Sequence, residues 1–249
     1  MAAAQRGTIR GPYREGSVDG RSHEAWTWSP DTAYAVGLLA TDGNLSASGR
    51  HVVLTSNDRE LLVTFLRCIR RSARIVSVRG GLGTSSLRVQ IGDVGLYRWL
   101  LSIGLQPRKS LTLGPLSVPD EVFPHLLRGL LDGDGSIIDR TYRGTGKARG
   151  RTYRTLLVRF ISASRPHVEW LRAKIDELFA IRGGLTTTRG IHRLTYAKAA
   201  SLRLLPIIYP ATEIPYLIRK REIWTRFALE TGYAEPAVHG TIGVAAPPR

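Results

Sequence analysis

The sequence has a single cysteine, Cys68, which excludes an internal disulfide framework and any zinc site built from cysteines. It has no apolar run approaching the roughly 18 residues that mark a membrane-spanning helix. The opening stretch MAAAQRGTIRGPYREG is basic and lacks an apolar core, so no secretory signal is expected in it. Cytoplasm or nucleoid is the expected compartment, with an organellar origin left open. No Gly-x-Ser-x-Gly occurs, and the glycine-rich RGGLGTSS at 79–86 lacks the lysine of a phosphate-binding loop. Acids are scarce: 20 Asp and Glu face 36 Lys and Arg, a net charge of +16. That excess is extreme for an enzyme of small neutral substrates and points to a polyanion, either nucleic acid or an anionic membrane surface. Lysine is scarce too, confined to Lys109, Lys147, Lys174, Lys198 and Lys220, so a lysine in a chemically useful place stands out.

What the sequence does contain is a core and a repetition. The hydrophobic fraction is 43% over 249 residues, enough for one large domain or two ordinary ones. Ser29-Pro30-Asp31 caps a helix that stops at Gly43; HVVLTS (51–56), 74–79 and 86–91 read as strands, with helices over 57–70 and 93–103. From Pro119-Asp120 the pattern returns: a helix to Gly135, a long strand pair reaching 151–163, a helix over 164–180, a hairpin over 185–197, and helices over 197–210 and 214–230. Both copies read αββαββα, which suits two α+β units related by a pseudo-twofold axis. The expected organisation is a basic arm (1–24), a first repeat (25–109), a linker (110–118), a second repeat (119–230) and a loose tail (231–249). Trp26, Trp28, Trp99, Trp170 and Trp224 are expected in the core or against helix faces.

The two opening helices end alike, as AVGLLATDG at 35–43 and LRGLLDGDG at 127–135. Gly37 and Gly129 hold the same register, and such small residues let two helix backbones approach closely. Side by side about a twofold axis, the helices bring Asp42 and Asp134 together at their ends. A carboxylate at a helix C-terminus is disfavoured by the dipole, and two of them repel. A hard divalent cation removes both penalties and gives the pair a function in phosphate chemistry.

These two nine-residue stretches resemble the motif of the LAGLIDADG homing endonucleases, in the form that carries both motifs in one chain. The resemblance covers about residues 28 to 228. It implies two αββαββα repeats packed through their motif helices, with two antiparallel sheets forming a DNA-binding saddle along a target of about twenty base pairs. It implies cleavage of both strands to leave four-base 3′ overhangs, with Mg²⁺ as cofactor. Mn²⁺ would serve as a substitute, and Ca²⁺ would support binding without cutting. The implied metal residues are Asp42 and Asp134 with the preceding Thr41 and Gly133. Lys198 is implied as a catalytic lysine near the central phosphates. The sixth motif position, acidic in the family and here Asp132, is Ala40 in the first copy; the family uses that position for structure. An intron RNA maturase and a non-catalytic binding module on the same fold are the alternatives.

Strand alternation puts Arg88 and Gln90 on one face of their strand, and Arg193 and Thr195 on one face of theirs, where Arg and Gln can read base edges. Between Arg140 and Arg165 the chain carries Arg143, Lys147, Arg149, Arg151, Arg154 and Arg159 and no acid. This stretch reads as a hairpin whose tip holds phosphates. Arg108-Lys109 and Arg219-Lys220 occupy matching places after each repeat and read as backbone-near rather than catalytic. Because both halves of the twofold interface lie in one chain, the protein is expected to sediment as a monomer without DNA; a stable dimer would refute this.

Overall fold

The computed structural model describes residues 25–79 and 85–233, so the arm and nearly all of the tail expected from the sequence lie outside the described residues. The first half runs α1 (Pro30–Asp42), β1 (Gly43–Leu45), β2 (His51–Ser56), α2 (Arg59–Cys68), β3 (Val76–Arg79), β4 (Ser85–Gly92) and α3 (Val94–Ser102). The second runs α4 (Phe123–Asp132), β5 (Ser136–Arg143), β6 (Thr152–Ser162), α5 (Arg165–Phe179), β7 (Gly184–Thr188), β8 (Ile191–Tyr196), α6 (Lys198–Ile208) and α7 (Ile218–Thr231). Each half builds a four-stranded antiparallel sheet, ordered β1-β2-β4-β3 and β5-β6-β8-β7. The two orders are the same path through equivalent strands. The fold is therefore two pseudo-symmetric repeats, as the element order in the sequence implies.

Local chemistry sets the helix starts. Ser29 and Thr32 form a reciprocal capping box, with Pro30 at the first turn of α1. Asp58 and Asp93 cap α2 and α3, and Pro124 lies in the first turn of α4. The three-residue β1 is the one strand of the first half that composition does not announce. It exists because Asn44 pairs with Val53 across the sheet, a non-local contact that a stretch this short cannot signal alone. In each sheet one face is buried: Val52, Leu54, Val89 and Ile91 in the first, Leu156, Val158, Phe160, Leu194 and Tyr196 in the second. Residues 110–118 are packed rather than free, since Leu113 and Leu116 are buried and the Leu113 and Gly114 carbonyls bond Ser164 and His167 of the second half.

The repeats meet along α1 and α4. Every residue of α1 from Ala33 to Ala40 is buried, which is the pattern of a helix enclosed on all sides. The crossing is made at Gly37 and Gly129. A Cβ built on Gly37 would stand 2.5 Å from the Leu126 carbonyl oxygen and 2.7 Å from the Leu130 nitrogen. One built on Gly129 would collide with the Tyr34 carbonyl oxygen and stand 2.9 Å from the Gly37 Cα. The two backbones touch, so no side-chain rotation can relieve an added atom. Gly43 and Gly135 serve differently from a left-handed cap: neither has a positive φ, and each lets the chain fold over the turn it has just left, where a Cβ would press on Leu39 or Leu131.

Gly129→Ala gains about 1 kcal/mol of helix propensity and forces the two helices apart. A net loss of about 3 kcal/mol in urea unfolding is expected. An unchanged midpoint would refute backbone contact at this crossing.

Candidate active site

Because α1 and α4 cross near their middles and end together, their terminal aspartates come within electrostatic reach. Asp42 is half-buried and Asp134 exposed. Burial first, and then the charge of Asp134, raise the Asp42 carboxyl from the usual carboxylate range to about 6. Opposing these are two buried lysines. Lys109 donates to the Thr41 and Gly43 carbonyl oxygens at 3.2 and 2.7 Å. Lys220 has the carbonyl oxygens of Leu131, Asp132, Gly133 and Gly135 at 2.5–2.9 Å and shares its three N–H groups among them. Each ammonium thus caps the negative end of one motif helix, where a cation is favoured. Burial lowers both lysines to about 8, and the charges of Asp42 and Asp134 act on both in the opposite sense. Arg108 adopts a left-handed φ of 55° at the turn that delivers Lys109.

These lysines are the functional feature that the sequence shows least clearly. The matching Arg-Lys pairs signal a backbone role. That the backbone in question is the far end of a motif helix, 66 to 89 residues away in the chain, depends on tertiary packing. Lys198 lies elsewhere: it opens α6, with its ammonium 5.9 Å over the Phe227 ring. The charges that act on Asp42 come from Asp134, Lys220 and Lys109.

The donors at the helix ends are all hard oxygens. Among the described residues no group of three or more His, Cys, Asp and Glu side chains assembles. A divalent cation would therefore be held by the two carboxylates, helped by backbone oxygens and by a phosphate ligand. The Thr41 and Gly133 carbonyl oxygens each accept one lysine N–H, which leaves a lone pair on each. The Thr41 hydroxyl donates to the Leu38 carbonyl at 2.9 Å and packs against Gly133, where a Cβ would collide with it. This set fits Mg²⁺ or Ca²⁺ chemistry and no soft metal.

Asp132, the sixth motif residue of α4, is buried and accepts from the Tyr34 hydroxyl at 2.9 Å, the Leu217 backbone N–H at 2.8 Å and the Tyr209 hydroxyl. One turn earlier, the fully buried Arg128 donates to the Pro215 and Ile208 carbonyl oxygens and lies over the Tyr34 ring. Arg128 and Asp132 thus hold the α6–α7 connection, which carries Lys220 to the end of α4. Val36 and Ala40 stand at the equivalent positions of α1, so the first repeat has no such clamp.

Cross-strand register decides which basic residues share the open faces of the sheets. Arg88 and Gln90 lie opposite Thr55 and Val53, away from the core. Arg159 pairs with Thr195, to whose hydroxyl it donates at 3.3 Å, and Arg193 pairs with Ile161; all four are on the open face. Arg154 shares the opposite face with Leu156 and Val158. There it is bound to Asp139 and Glu230 and stacks on Phe227, 4.8 Å from the ring centroid. Arg143 falls on that face as well, at the exposed end of β5, and Lys147, Arg149 and Arg151 are exposed around the turn between β5 and β6. Tyr142 and Tyr153, opposite one another on the open face, stack at 5.5 Å.

Two such sheets flanking a pair of crossed glycine helices with terminal aspartates can be compared directly with solved structures. The chain is similar to the LAGLIDADG meganuclease I-AabMI bound to uncleaved DNA, with a TM-score of 0.56 at 13% identity over 84% of this chain and 94% of that one. It is likewise similar to the homing endonuclease I-WcaI bound to its DNA recognition sequence, with a TM-score of 0.54 at 13% identity over 78% and 88%. Mesophilic variants of the homing endonuclease I-DmoI match with a TM-score of 0.51 at 13% identity over 79% and 97%. The chain has the LAGLIDADG homing-endonuclease fold. No protein-family model and no curated protein matches the sequence.

Asp132→Asn places an amide among three donors and removes the charge nearest Arg128. Losing one member of a buried charged cluster costs about 3–5 kcal/mol. A loss of that size in urea unfolding is expected; a near-neutral effect would refute the clamp.

Proposed function

We propose that the chain is a site-specific DNA endonuclease that hydrolyses both strands of a long target in a metal-dependent reaction. The observation that carries this reading is the meeting of Asp42 and Asp134 at the joined ends of α1 and α4, flanked by two open sheet faces that carry Arg88 and Gln90 on one and Arg159 and Arg193 on the other. The net charge of +16 supplies non-specific affinity for phosphates. Arg88, Gln90, Arg193 and Thr195 on those faces supply base readout, and Arg159 beside Thr195 joins them. Lys147, Arg149 and Arg151, with Arg143, hold the backbone from the β5–β6 turn.

Asp42 and Asp134 would hold Mg²⁺, which would supply electrophilic stabilisation of charge on the scissile phosphates and activation of water. The protein's part is to hold the two carboxylates together against their repulsion. Lys109 and Lys220 make this possible by neutralising the helix ends on which the carboxylates stand. Products with 3′ overhangs follow from placing the two scissile phosphates across the minor groove at a single centre. One chain suffices, since both carboxylates come from it. Lys198, at the start of α6, would have to leave the Phe227 ring to reach a phosphate of the bound duplex.

Asp42→Asn and Asp134→Asn should each nearly abolish supercoiled-plasmid cleavage at a site recovered from a random library. Specific binding in Ca²⁺ gel shifts should survive, since the sheets make it. Full cleavage by either variant, or by the wild type in EDTA, would overturn the two-carboxylate mechanism. Lys198→Met should cost about 10²-fold if it assists proton transfer or charge stabilisation.

Binding should weaken steeply with salt. Neutralising about ten phosphates gives a slope near −9 in log affinity against log salt. Removing the charges of Lys147, Arg149 and Arg151 should flatten the slope at unchanged base preference. A flat titration would refute the electrostatic reading.

A further inference from the structure

The two sheets share a strand order and differ in reach. Ser136↔Arg159 in the second matches Asn44↔Val53 in the first, since Ser136 and Asn44 each stand two residues past a motif aspartate. Ile137↔Val158 then matches Leu45↔Val52, the last pair that β1 makes. There the first hairpin turns, with the Ser46 N–H donating to the His51 carbonyl oxygen at 2.9 Å. The second hairpin runs on: β5 and β6 continue through six further pairs, from Ile138↔Leu157 to Arg143↔Thr152. β8 pairs with β6 only from Val158 to Ser162, so these six pairs leave the sheet as a two-stranded ribbon.

One face of the ribbon is braced. Arg154 donates to Asp139 on the neighbouring strand and to Glu230 of α7, each at 2.7 Å, and lies over Phe227 of the same helix. Leu156 is buried on this face. The first repeat has neither ribbon nor brace: Lys220 stands in the long α7, while its counterpart Lys109 stands in a single helical turn, Lys109–Leu111. The other face of the ribbon is open. From the sheet outward it carries Ile138 and Leu157, then Arg140 and Thr155, then the stacked Tyr142 and Tyr153. Arg140 is exposed, and no salt bridge among the described residues includes it.

Length and direction give this face a partner. Each pair advances about 3.4 Å, so the ribbon reaches about 20 Å beyond the rows that the two sheets share. β5 starts two residues after Asp134, and an extended strand recedes from its start with every residue, so the added length points away from the paired aspartates. The major groove admits a two-stranded ribbon, and its base pairs follow one another at about the same 3.4 Å. We propose that the open face of the β5–β6 ribbon reads about six outer base pairs of a DNA target on the second repeat's side only, so that the cut lies off the middle of the recognised sequence. This rests on the endonuclease reading above. Arg140 is the base-reading group, since a free guanidinium can donate twice to guanine.

A duplex recovered by binding selection is footprinted with hydroxyl radicals in Ca²⁺, and the cuts are mapped on the same duplex in Mg²⁺. Protection should extend about six base pairs farther from the cut on one side than on the other. Equal lengths would overturn the proposal and leave the endonuclease reading standing. A chain with residues 140–155 replaced by the hairpin turn Asn-Gly keeps Leu156 and removes four of the six pairs. Its protection should retreat by about four base pairs or more at the long edge and stay in place at the other. Retreat at both edges, or at neither, would overturn the proposal. If urea unfolding shows that this chain does not fold, Arg140→Ala at its exposed position takes its place. Reselection should then lose about tenfold preference at one outer base pair on the long side, and unchanged preference there would overturn the proposal. One-sided retreat on a duplex that is never cut refutes the nuclease and leaves the ribbon's role standing. Failure to select any duplex refutes both.

Discussion

The contact between the backbones of α1 and α4 at Gly37 and Gly129 is the constraint from which the rest of the structure follows. It permits two helices to run closer than side chains allow, and it sets where their ends arrive. Moving either helix outward by the thickness of one methyl group would separate Asp42 from Asp134 and loosen the seam that joins the two sheets. The glycines give up helix propensity to make this approach. Burial of α1 on every side returns that stability through packing.

The close approach creates an electrostatic problem at its far end. Two carboxylates sit on two negative helix termini, with Asp42 pushed up to about 6 by burial and by its neighbour. Lys109 and Lys220 answer it from equivalent places in the two repeats, each donating to carbonyl groups of one terminus. Their charge favours ionised aspartates, while their hydrogen bonds go to backbone carbonyl oxygens rather than to the carboxylates. Structure and chemistry are coupled here, because the groups that finish the helices are the same groups that make the acidic centre tolerable.

The pseudo-symmetry is incomplete in a way that has consequences. In the second repeat Arg128 and Asp132 bind the chain between α6 and α7 through buried hydrogen bonds. In the first, Val36 and Ala40 leave that position apolar and small, and Ala40 lines a cavity beside Asp134. The two halves of the centre therefore differ in burial, in polar support and in the space next to them, even though the strand order of the two sheets is the same.

Much of this was legible in the sequence. The paired motif helices, their glycines, the terminal aspartates, the αββαββα order and the alternation that separates Arg88 and Gln90 from the core are all written at periods of two to four residues, which local chemistry sets. Other features depend on groups that meet only after folding. Short β1 is a strand because Val53 lies beside Asn44. Arg154 lies in a basic run, yet its position in β6 turns it to Asp139 and Glu230 on the helix-packed face. His167, on α5, is buried and bonds the Gly114 carbonyl through Nδ1, a partner 53 residues away that the sequence does not mark. The amino-acid pattern determined which elements form and which faces they bury, because those depend on neighbours in the chain. Tertiary structure alone decided which carbonyl groups the two lysines cap, which arginines remain free and where space is left, because each depends on atoms brought together from distant parts of the chain.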